Sequence, residues 1–533
     1  MSLTRRRAGR AAVVAAVGTL LFALVGALGV VFTTKFGAGL SPDSVVYVTA
    51  ARNLLQGRGF VELGGPDRWP PLVHFPPLYP ALLALAGLGL VDPIHVARWL
   101  NALLFAANIC LVGLIIFEGT RGSWRAAAGG AFLAATAVDL LSVHSMAWSE
   151  PLFIFLGLLG LCLLARYARS PSPRRFVASA TAIAAAALAR YAAPPLILTG
   201  VLVVYAAGEG SRGVRARRAA GWLAISCAPM ALWLVRNLLV AAQPTDRGLV
   251  FHPVSRGRLG QAVATVTGWL PPLKSFAPAN PMPVAASLGA CIFAALVLVY
   301  VPRLARIAPS PRTGRIAADP APFLLGTFVV TYGVFLLISI SFFDYSTPLD
   351  ARMLSPGFAC LICLAVILGH RLAAADRWTG KPVRALLLIL GIVCAAAYLN
   401  QATVWVLTHR RDSRGYAAAM FRESATLLAL RQTDPGRPIY SNAADAIFII
   451  SARPAQFLPT KTLSGQDKDN PAYRADLDRM RRRMAGEGAL LVYLRPNGRA
   501  YLPSEDELKA TLPLTLLTEY HDGAVYGLAP GAP

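Results

Sequence analysis

Residues 11–33, AAVVAAVGTLLFALVGALGVVFT, carry no charge, and that run constrains the chain more than any other feature. A helix needs about 20 consecutive apolar residues to cross bilayer hydrocarbon. Inside lipid its backbone groups must be satisfied within the segment itself. The run is therefore expected to span a membrane. The preceding arm, MSLTRRRAGR, has the charge of a secretory n-region, but the apolar stretch exceeds the roughly 7–15 residues of a signal core. An uncleaved signal anchor is the expectation.

Comparable apolar runs recur, each closed by a short basic connector. These connectors hold Arg5, Arg6, Arg7 and Arg10; Arg121 and Arg125; Arg166, Arg169, Arg174 and Arg175; and Arg212, Arg215, Arg217 and Arg218. Further along come Arg303, Arg306, Arg312 and Arg315, then Arg371, Arg377, Lys381 and Arg384. A net charge of +24 would otherwise point to nucleic acid. Basic residues gathered at span ends instead follow the positive-inside rule, so no nucleic-acid partner is expected. Only 15% of the 533 residues are charged, against about 25% in a soluble domain.

With every basic cluster on the cytoplasmic side, spans are predicted at 11–33, 96–117, 126–146, 150–166, 177–192, 194–208, 219–241, 283–302, 322–342, 354–370 and 383–406. That makes about eleven. The pair 177–192 and 194–208 reads as a hairpin turning at Arg190, Tyr191, Pro194 and Pro195. The N-terminus then lies in the cytoplasm and the C-terminus outside a cell (inner) membrane. Segments 34–95, 242–282, 343–353 and 407–533 face outwards. All seven cysteines (Cys110, Cys162, Cys227, Cys291, Cys360, Cys363 and Cys394) fall within predicted spans and read as small apolar packing residues. No Walker loop, dinucleotide fingerprint, H-E-x-x-H or G-x-S-x-G is present.

The first external stretch, SPDSVVYVTAARNLLQGRGF from residue 41, starts a short helix. Ser41 suits its N-cap, Pro42 its first position, and Asp43 its first turn, where a carboxylate complements the macrodipole. Tyr47, Val48, Ala51, Leu54 and Leu55 fall on one side, so the helix is expected to lie in the membrane interface. RWPPLVHFPPLYPALLALAGLGL continues in kind. Residues 1–406 thus form a membrane domain, and 407–533 a small extracytoplasmic α/β domain. In that tail, 416–432 has helical spacing, PIYSN and ALLVYL read as strands, and EYHDGAVYGL as a hairpin. The helix around RADLDRMRRRM is expected to present a solvated face.

The order of these elements resembles the glycosyltransferase C superfamily, in particular the branch of protein O-mannosyltransferases and the lipid A aminoarabinose transferase. The resemblance rests on Asp43, Tyr47, Ala51 and Leu54 in the first loop, then P-P-L-Y-P (Pro76 to Pro80) and S-E-P-L-F (Ser149 to Phe153). L-x-R-Y (Leu188, Arg190, Tyr191), D-x-R-x-L-x-P (Asp350, Arg352, Leu354, Pro356) and S-N-A-x-D-A-I-F (Ser441 to Phe448) extend it. Ser44 stands where the mannosyltransferases carry Glu, so acceptor type does not carry over from that branch. The resemblance implies transfer of a sugar from a polyprenyl-phosphate carrier to a glycan, lipid or protein acceptor outside the membrane.

That chemistry needs a base for a hydroxyl nucleophile and cations for the departing phosphate. Asp43 is the expected base and Glu150 its catalytic companion, orienting acceptor or arginine. Arg352 and then Arg190 are expected on the phosphate, since ionisable groups at membrane depth are costly. Tyr47 and His74 complete the substrate-binding set; Arg236 and Glu62 are further candidates, and Trp69 and Trp148 read as interface aromatics. Each residue also has a plain structural role open to it: lipid headgroup contact, a helix-start acid at Glu150, or an Arg352–Asp350 pair. No cofactor is named, and assistance by a divalent metal stays open. A polysaccharide ligase or polymerase using the same donor, a transporter, and a non-catalytic assembly scaffold are the rival readings.

Overall fold

The computed structural model describes residues 2–63, 69–270, 319–374, 381–463 and 468–529. The expected span at 283–302, its basic connector and Cys291 lie outside them. Helix α1 (Ser2–Thr33) packs on α4 (Pro93–Gly119) and α5 (Trp124–Thr136). Helix α7 (Glu150–Arg169) lies against α4 and α8 (Pro173–Ala189), and α10 (Arg212–Ala241) against α8 and α9 (Pro194–Ala207). After α11 (Arg256–Gly268) come α12 (Ala321–Phe342), α13 (Ala351–Ala373) and α14 (Lys381–Asp412). One large apolar core, including Phe105, Ile116, Leu164 and Trp222, fills the bundle.

The chain is a multi-pass membrane protein. Seven of the described helices are long and apolar enough to cross a bilayer, or eight if α5 and α6 (Val138–His144), bent by 60°, count as one broken span. Of the eleven expected spans, 283–302 lies outside the described residues, and those at 177–192 and 194–208 fall short by length. Helices α8 and α9, of 17 and 14 residues, extend only about 26 and 21 Å at the standard rise, short of the roughly 30 Å of hydrocarbon. They do break at Arg190–Ala193 as the prolines require, but α9 packs mainly on α10 and α12 rather than back on α8. The α5–α6 bend falls at Ala137, which is extended (φ −71°, ψ 108°), and no proline or glycine marks it.

The bundle has two chemically distinct ends. At one, Arg166 and Arg169 bind Glu118 while Arg169 and Arg371 bind Asp319, all at 2.5–2.8 Å. These pairs gather the ends of α4, α7, α12 and α13, and the described arginine-bearing turns after α4, α7 and α9 lie at the same end. The opposite end carries the first loop, the α12–α13 connection and the tail.

The tail folds around a five-stranded sheet ordered β2-β1-β3-β5-β4. Here β1 (Ile439–Ser441) runs parallel to β2 (Gln456–Phe457) and β3 (Leu490–Leu494), while β4 (Leu514–Tyr520) and β5 (Gly523–Leu528) form the hairpin. The expected helix over 416–432 is split into α15 (Ala419–Arg422) and α16 (Ala425–Leu430). Ser424 leaves the helix to cap α16 and to bond Asp522 at the hairpin turn. Helix α18 (Tyr473–Glu487) buries Leu477, Met480 and Met484 and exposes most of its charges.

The largest departure from expectation concerns α2 (Pro42–Leu55). Ser41 does cap it, accepting from Ser44 N–H, but the helix does not lie on lipid. Val45, Tyr47, Val48, Ala50 and Ala51 are all buried, so burial runs round the helix rather than along one stripe. The tail covers it: α17 (Ala444–Ser451) packs on α2, and both belong to one core with Tyr416 and Ile447. Tyr416 N–H bonds the Leu40 carbonyl at 2.9 Å. Gly415 permits this approach, since its φ is +55° and a Cβ there would meet the Leu40 oxygen at 1.8 Å. The exposed apolar surface lies instead at α3 (Leu78–Gly87), whose Leu85 and the following Leu88 and Leu90 are largely exposed.

Candidate active site

Four helix ends bring four charged side chains together. Asp43 occupies the first turn of α2, Glu150 begins α7, Arg190 ends α8, and Arg352 lies in the first turn of α13. The two acids complement the positive ends of their helices, but a cation at Arg352 opposes its own by about 0.3–1 kcal/mol. What holds it there is tertiary. Arg352 Nη1 reaches Asp43 Oδ2 at 2.7 Å, and Arg352 Nε reaches Glu150 Oε1 at 2.5 Å. Arg190 Nη1 binds the same Glu150 oxygen at 2.7 Å and donates to Ser149 Oγ at 3.1 Å. The quartet is charge-balanced and linked end to end.

Burial divides the labour within it. The Glu150 side chain is 1% exposed and Arg352 14%, whereas Asp43 is 32% exposed. Glu150 is therefore an internal anchor, and Asp43 is the member that opens to solvent. Arg352 Nη2 and Glu150 Oε2 are buried with no hydrogen-bond partner among the described residues. A buried unsatisfied donor is costly, so Nη2 is the place where an anionic ligand would gain most. Burial alone would push the Asp43 carboxyl up; the Arg352 guanidinium, with His74 and Arg190 behind it, outweighs that and holds it below the ordinary carboxylate range.

Two cavities flank the quartet, and Phe75 lines both. The smaller, about 70 Å³, is lined by Tyr47, Arg190, Tyr191, Arg247, Ser339 and Thr347 among others, with Phe335 and Leu336 of α12 on its apolar side. The larger, about 700 Å³, lies between the first loop and the tail and holds Asp43, Glu62, His74, Asp246, Arg437 and Arg483. Tyr47 is fully buried, its hydroxyl 2.9 Å from Ser149 Oγ, and burial keeps its phenol well above the usual range. His74 Nδ1 is hydrogen-bonded to Asp246. Burial would lower the imidazole pKa, but that carboxylate raises it above the ordinary value.

The expected site residues Asp43, Tyr47, Glu150, Arg190 and Arg352 thus converge, and His74 lies on the same cavity as Asp43. The Arg352–Asp350 pair does not form. Asp350 instead caps α13 by accepting from Met353 N–H at 3.0 Å, which leaves Arg352 to the distant acids. Arg236 stands outside the site, donating to the carbonyls of Leu72 and Phe60. Trp148 is not a plain interface aromatic: Arg352 lies over its ring at 4.2 Å and its Nε1 donates to Ser41 Oγ at 2.7 Å. Sequence reasoning missed that role, along with Asp246, Arg247 and the tail residues. Only Trp148 had a local signal, its position directly before S-E-P-L-F. Among the described residues no group of three or more His, Cys, Asp or Glu is arranged to hold a metal ion.

No family model and no curated protein matches the sequence. Solved structures do match. ArnT from Cupriavidus metallidurans, bound to undecaprenyl phosphate, is similar over 96% of this chain and 98% of its own, with a TM-score of 0.56 at 15% identity. Its apo form gives the same TM-score at 14% identity. The arabinofuranosyltransferase AftD from Mycobacteria matches 96% of this chain with 40% of its own, at a TM-score of 0.50 and 15% identity. The resemblance read from the order of the motifs therefore holds at the level of architecture: the chain shares the fold of these structures.

Proposed function

We propose that this protein transfers a sugar from a polyprenyl-phosphate carrier to a hydroxyl acceptor at the extracytoplasmic face of the membrane. The observation that carries the reading is the quartet itself: an ionised, partly open carboxylate bound directly to a buried guanidinium that still has a free Nη2, at one end of the bundle. The described arginine-bearing turns after α4, α7 and α9 lie at the other end, which by the positive-inside rule is cytoplasmic.

In this reading the carrier phosphate approaches from the small cavity, where Arg190 and Arg247 supply charge and Phe335 and Leu336 meet the prenyl chain. The acceptor hydroxyl enters the large cavity beside Asp43. Its oxygen forms the new bond to the sugar's anomeric carbon while the bond from that carbon to the phosphate oxygen breaks. The hydroxyl proton passes to Asp43, and the electron pair leaves with polyprenyl phosphate. The phosphate gains negative charge as it departs, which Arg352 Nη2 and Arg190 stabilise. Glu150 holds both arginines in place and touches neither substrate. A carboxylate with a lowered pKa is a weak base for a free alcohol. It suits a late proton transfer, when the attacking oxygen has become acidic.

The test is donor choice. Purified protein is given one labelled sugar on polyprenyl monophosphate, on polyprenyl diphosphate and on a nucleotide, with envelope extract as acceptor. Transfer from the monophosphate lipid alone is expected; transfer from the nucleotide sugar without lipid overturns the reading.

A further inference from the structure

The large cavity has a second wall that the reaction described above does not use. Opposite Asp43 it is built by the tail: the Pro435–Ile439 turn, Asp445, the Pro454–Phe457 edge and Arg483. We infer that this cavity is an acceptor site for a neutral glycan, clasped between the first loop and the edge of the tail sheet. The inference rests on the transferase reading and adds the acceptor class to it.

Charge pairing on the walls is the first argument. Asp43 is matched by Arg352, Asp445 by Arg499, Arg483 by Glu487, and Asp246 is bonded to His74. Among the described residues, only Glu62 and Arg437 of the charged lining lack an ion-pair partner, one of each sign. Such a wall leaves few unpaired charges to hold a phosphorylated or otherwise strongly anionic acceptor. It offers acceptor-only carboxylates and donor-only guanidiniums side by side. A hydroxyl can answer both, and a polyhydroxylated ligand meets such a surface in many registers.

The apolar lining is the second argument. Phe75 contributes an aromatic ring from the loop and Phe457, 42% exposed, one from the tail. Pro42, Pro438 and Pro454 add flat apolar faces. Rings of this kind present apolar surface to the C–H faces of a sugar while the polar groups between them take its hydroxyls. The volume of about 700 Å³ falls within the roughly 300–1,000 Å³ that encloses a small-molecule ligand, enough for a short oligosaccharide end.

A peptide acceptor fits less well. β2 is an edge strand, the natural place for strand addition, but it is two residues long, and Pro454 just before it has no N–H to donate.

The experiment uses full-length protein in nanodiscs and saturation-transfer NMR. The probes are neutral oligosaccharides (mannan, galactan and arabinan fragments), a Ser/Thr-rich peptide and a phosphorylated glycolipid. Undecaprenyl phosphate binding is measured in parallel. Expected is saturation of at least one neutral oligosaccharide, weakened about tenfold in Phe457→Ala, with undecaprenyl phosphate binding unchanged. Gln456→Ala, on the same exposed edge, removes a side chain that accepts a hydrogen bond from Arg483, and should weaken binding in the same direction. Binding of the peptide or the glycolipid alone, or oligosaccharide binding indifferent to both variants, overturns the glycan assignment and leaves the donor reading standing. Absence of undecaprenyl phosphate binding in the unaltered protein refutes the donor reading instead.

Discussion

Glu150→Gln separates anchoring from chemistry, and the structure sets its size. The Glu150 carboxylate is 1% exposed, and one oxygen receives both Arg352 Nε at 2.5 Å and Arg190 Nη1 at 2.7 Å. Glutamine keeps the shape and an acceptor, but both hydrogen bonds lose their anionic partner. Both bonds stay charge-assisted by the guanidiniums, but the buried pair loses its anion, a change worth up to about 3–5 kcal/mol. The variant amide nitrogen would take the place of Oε2, which has no partner to lose. The second consequence has the opposite sign. The quartet changes from neutral to singly positive, and one extra unit charge about 6 Å from a bound phosphate at an effective dielectric of 20 is worth up to about 3 kcal/mol before screening. After screening, undecaprenyl phosphate should bind about five- to thirty-fold tighter, for a gain of about 1–2 kcal/mol, while turnover falls because Arg352 is no longer held. Chemical denaturation and carrier titration in the same detergent measure both. A variant with unchanged stability and unchanged carrier affinity would refute the anchoring argument.

Asp43→Asn should lower transfer by about 10² to 10⁴ yet cost no more than about 1 kcal/mol of stability, because the side chain is a third exposed and Arg352 keeps Glu150; near-normal turnover in a folded variant would remove Asp43 from the chemistry. The Asp43 carboxyl is held below its ordinary value of 3.8, so the base form persists and the acid limb of kcat should lie below about pH 4. A limb near pH 5 to 6 would point to another group. His74 is raised from 6.5 by Asp246, so its contribution is complete below pH 6.5 and is lost as pH rises through the raised value; His74→Gln should flatten the alkaline loss of stability and leave the acid side unchanged. In the tail, Asp445 is buried between Arg499, at 2.8 Å, and the Tyr416 hydroxyl, at 2.8 Å. Asp445→Asn should loosen the tail from α2, costing about 3–5 kcal/mol at that contact, and limited proteolysis should then cleave near Gly415 first.

The signals that were legible in the sequence all act over a few residues. The cap at Ser41, the proline at Pro42 and the acid at Asp43 start α2 where the chain says they should, because capping and the helix dipole involve only the first turn. The break between α8 and α9 follows from Pro194 and Pro195 in the same way. The bend at Ala137 had no such mark, since its cause is how α5 and α6 pack on their neighbours. The surface position expected of α2 was wrong for a related reason: its apolar side was visible, but whether lipid or protein covers it depends on a tail more than three hundred residues downstream.

What the sequence by itself determined is the membrane class, the placement of the long apolar helices among the described residues, and the set of charged residues at their ends. Hydropathy, capping and turn chemistry are read from neighbours along the chain, so they survive without coordinates. Only the tertiary structure decided that Asp43 shares Arg352 with Glu150, that Arg190 closes the quartet, that Trp148 lies under the guanidinium, and that the tail roofs the cavity. Those pairings join α2, α7, α8 and α13, and an ion pair forms only between groups brought within a few ångströms, a distance set by the packing of the bundle and by no local rule.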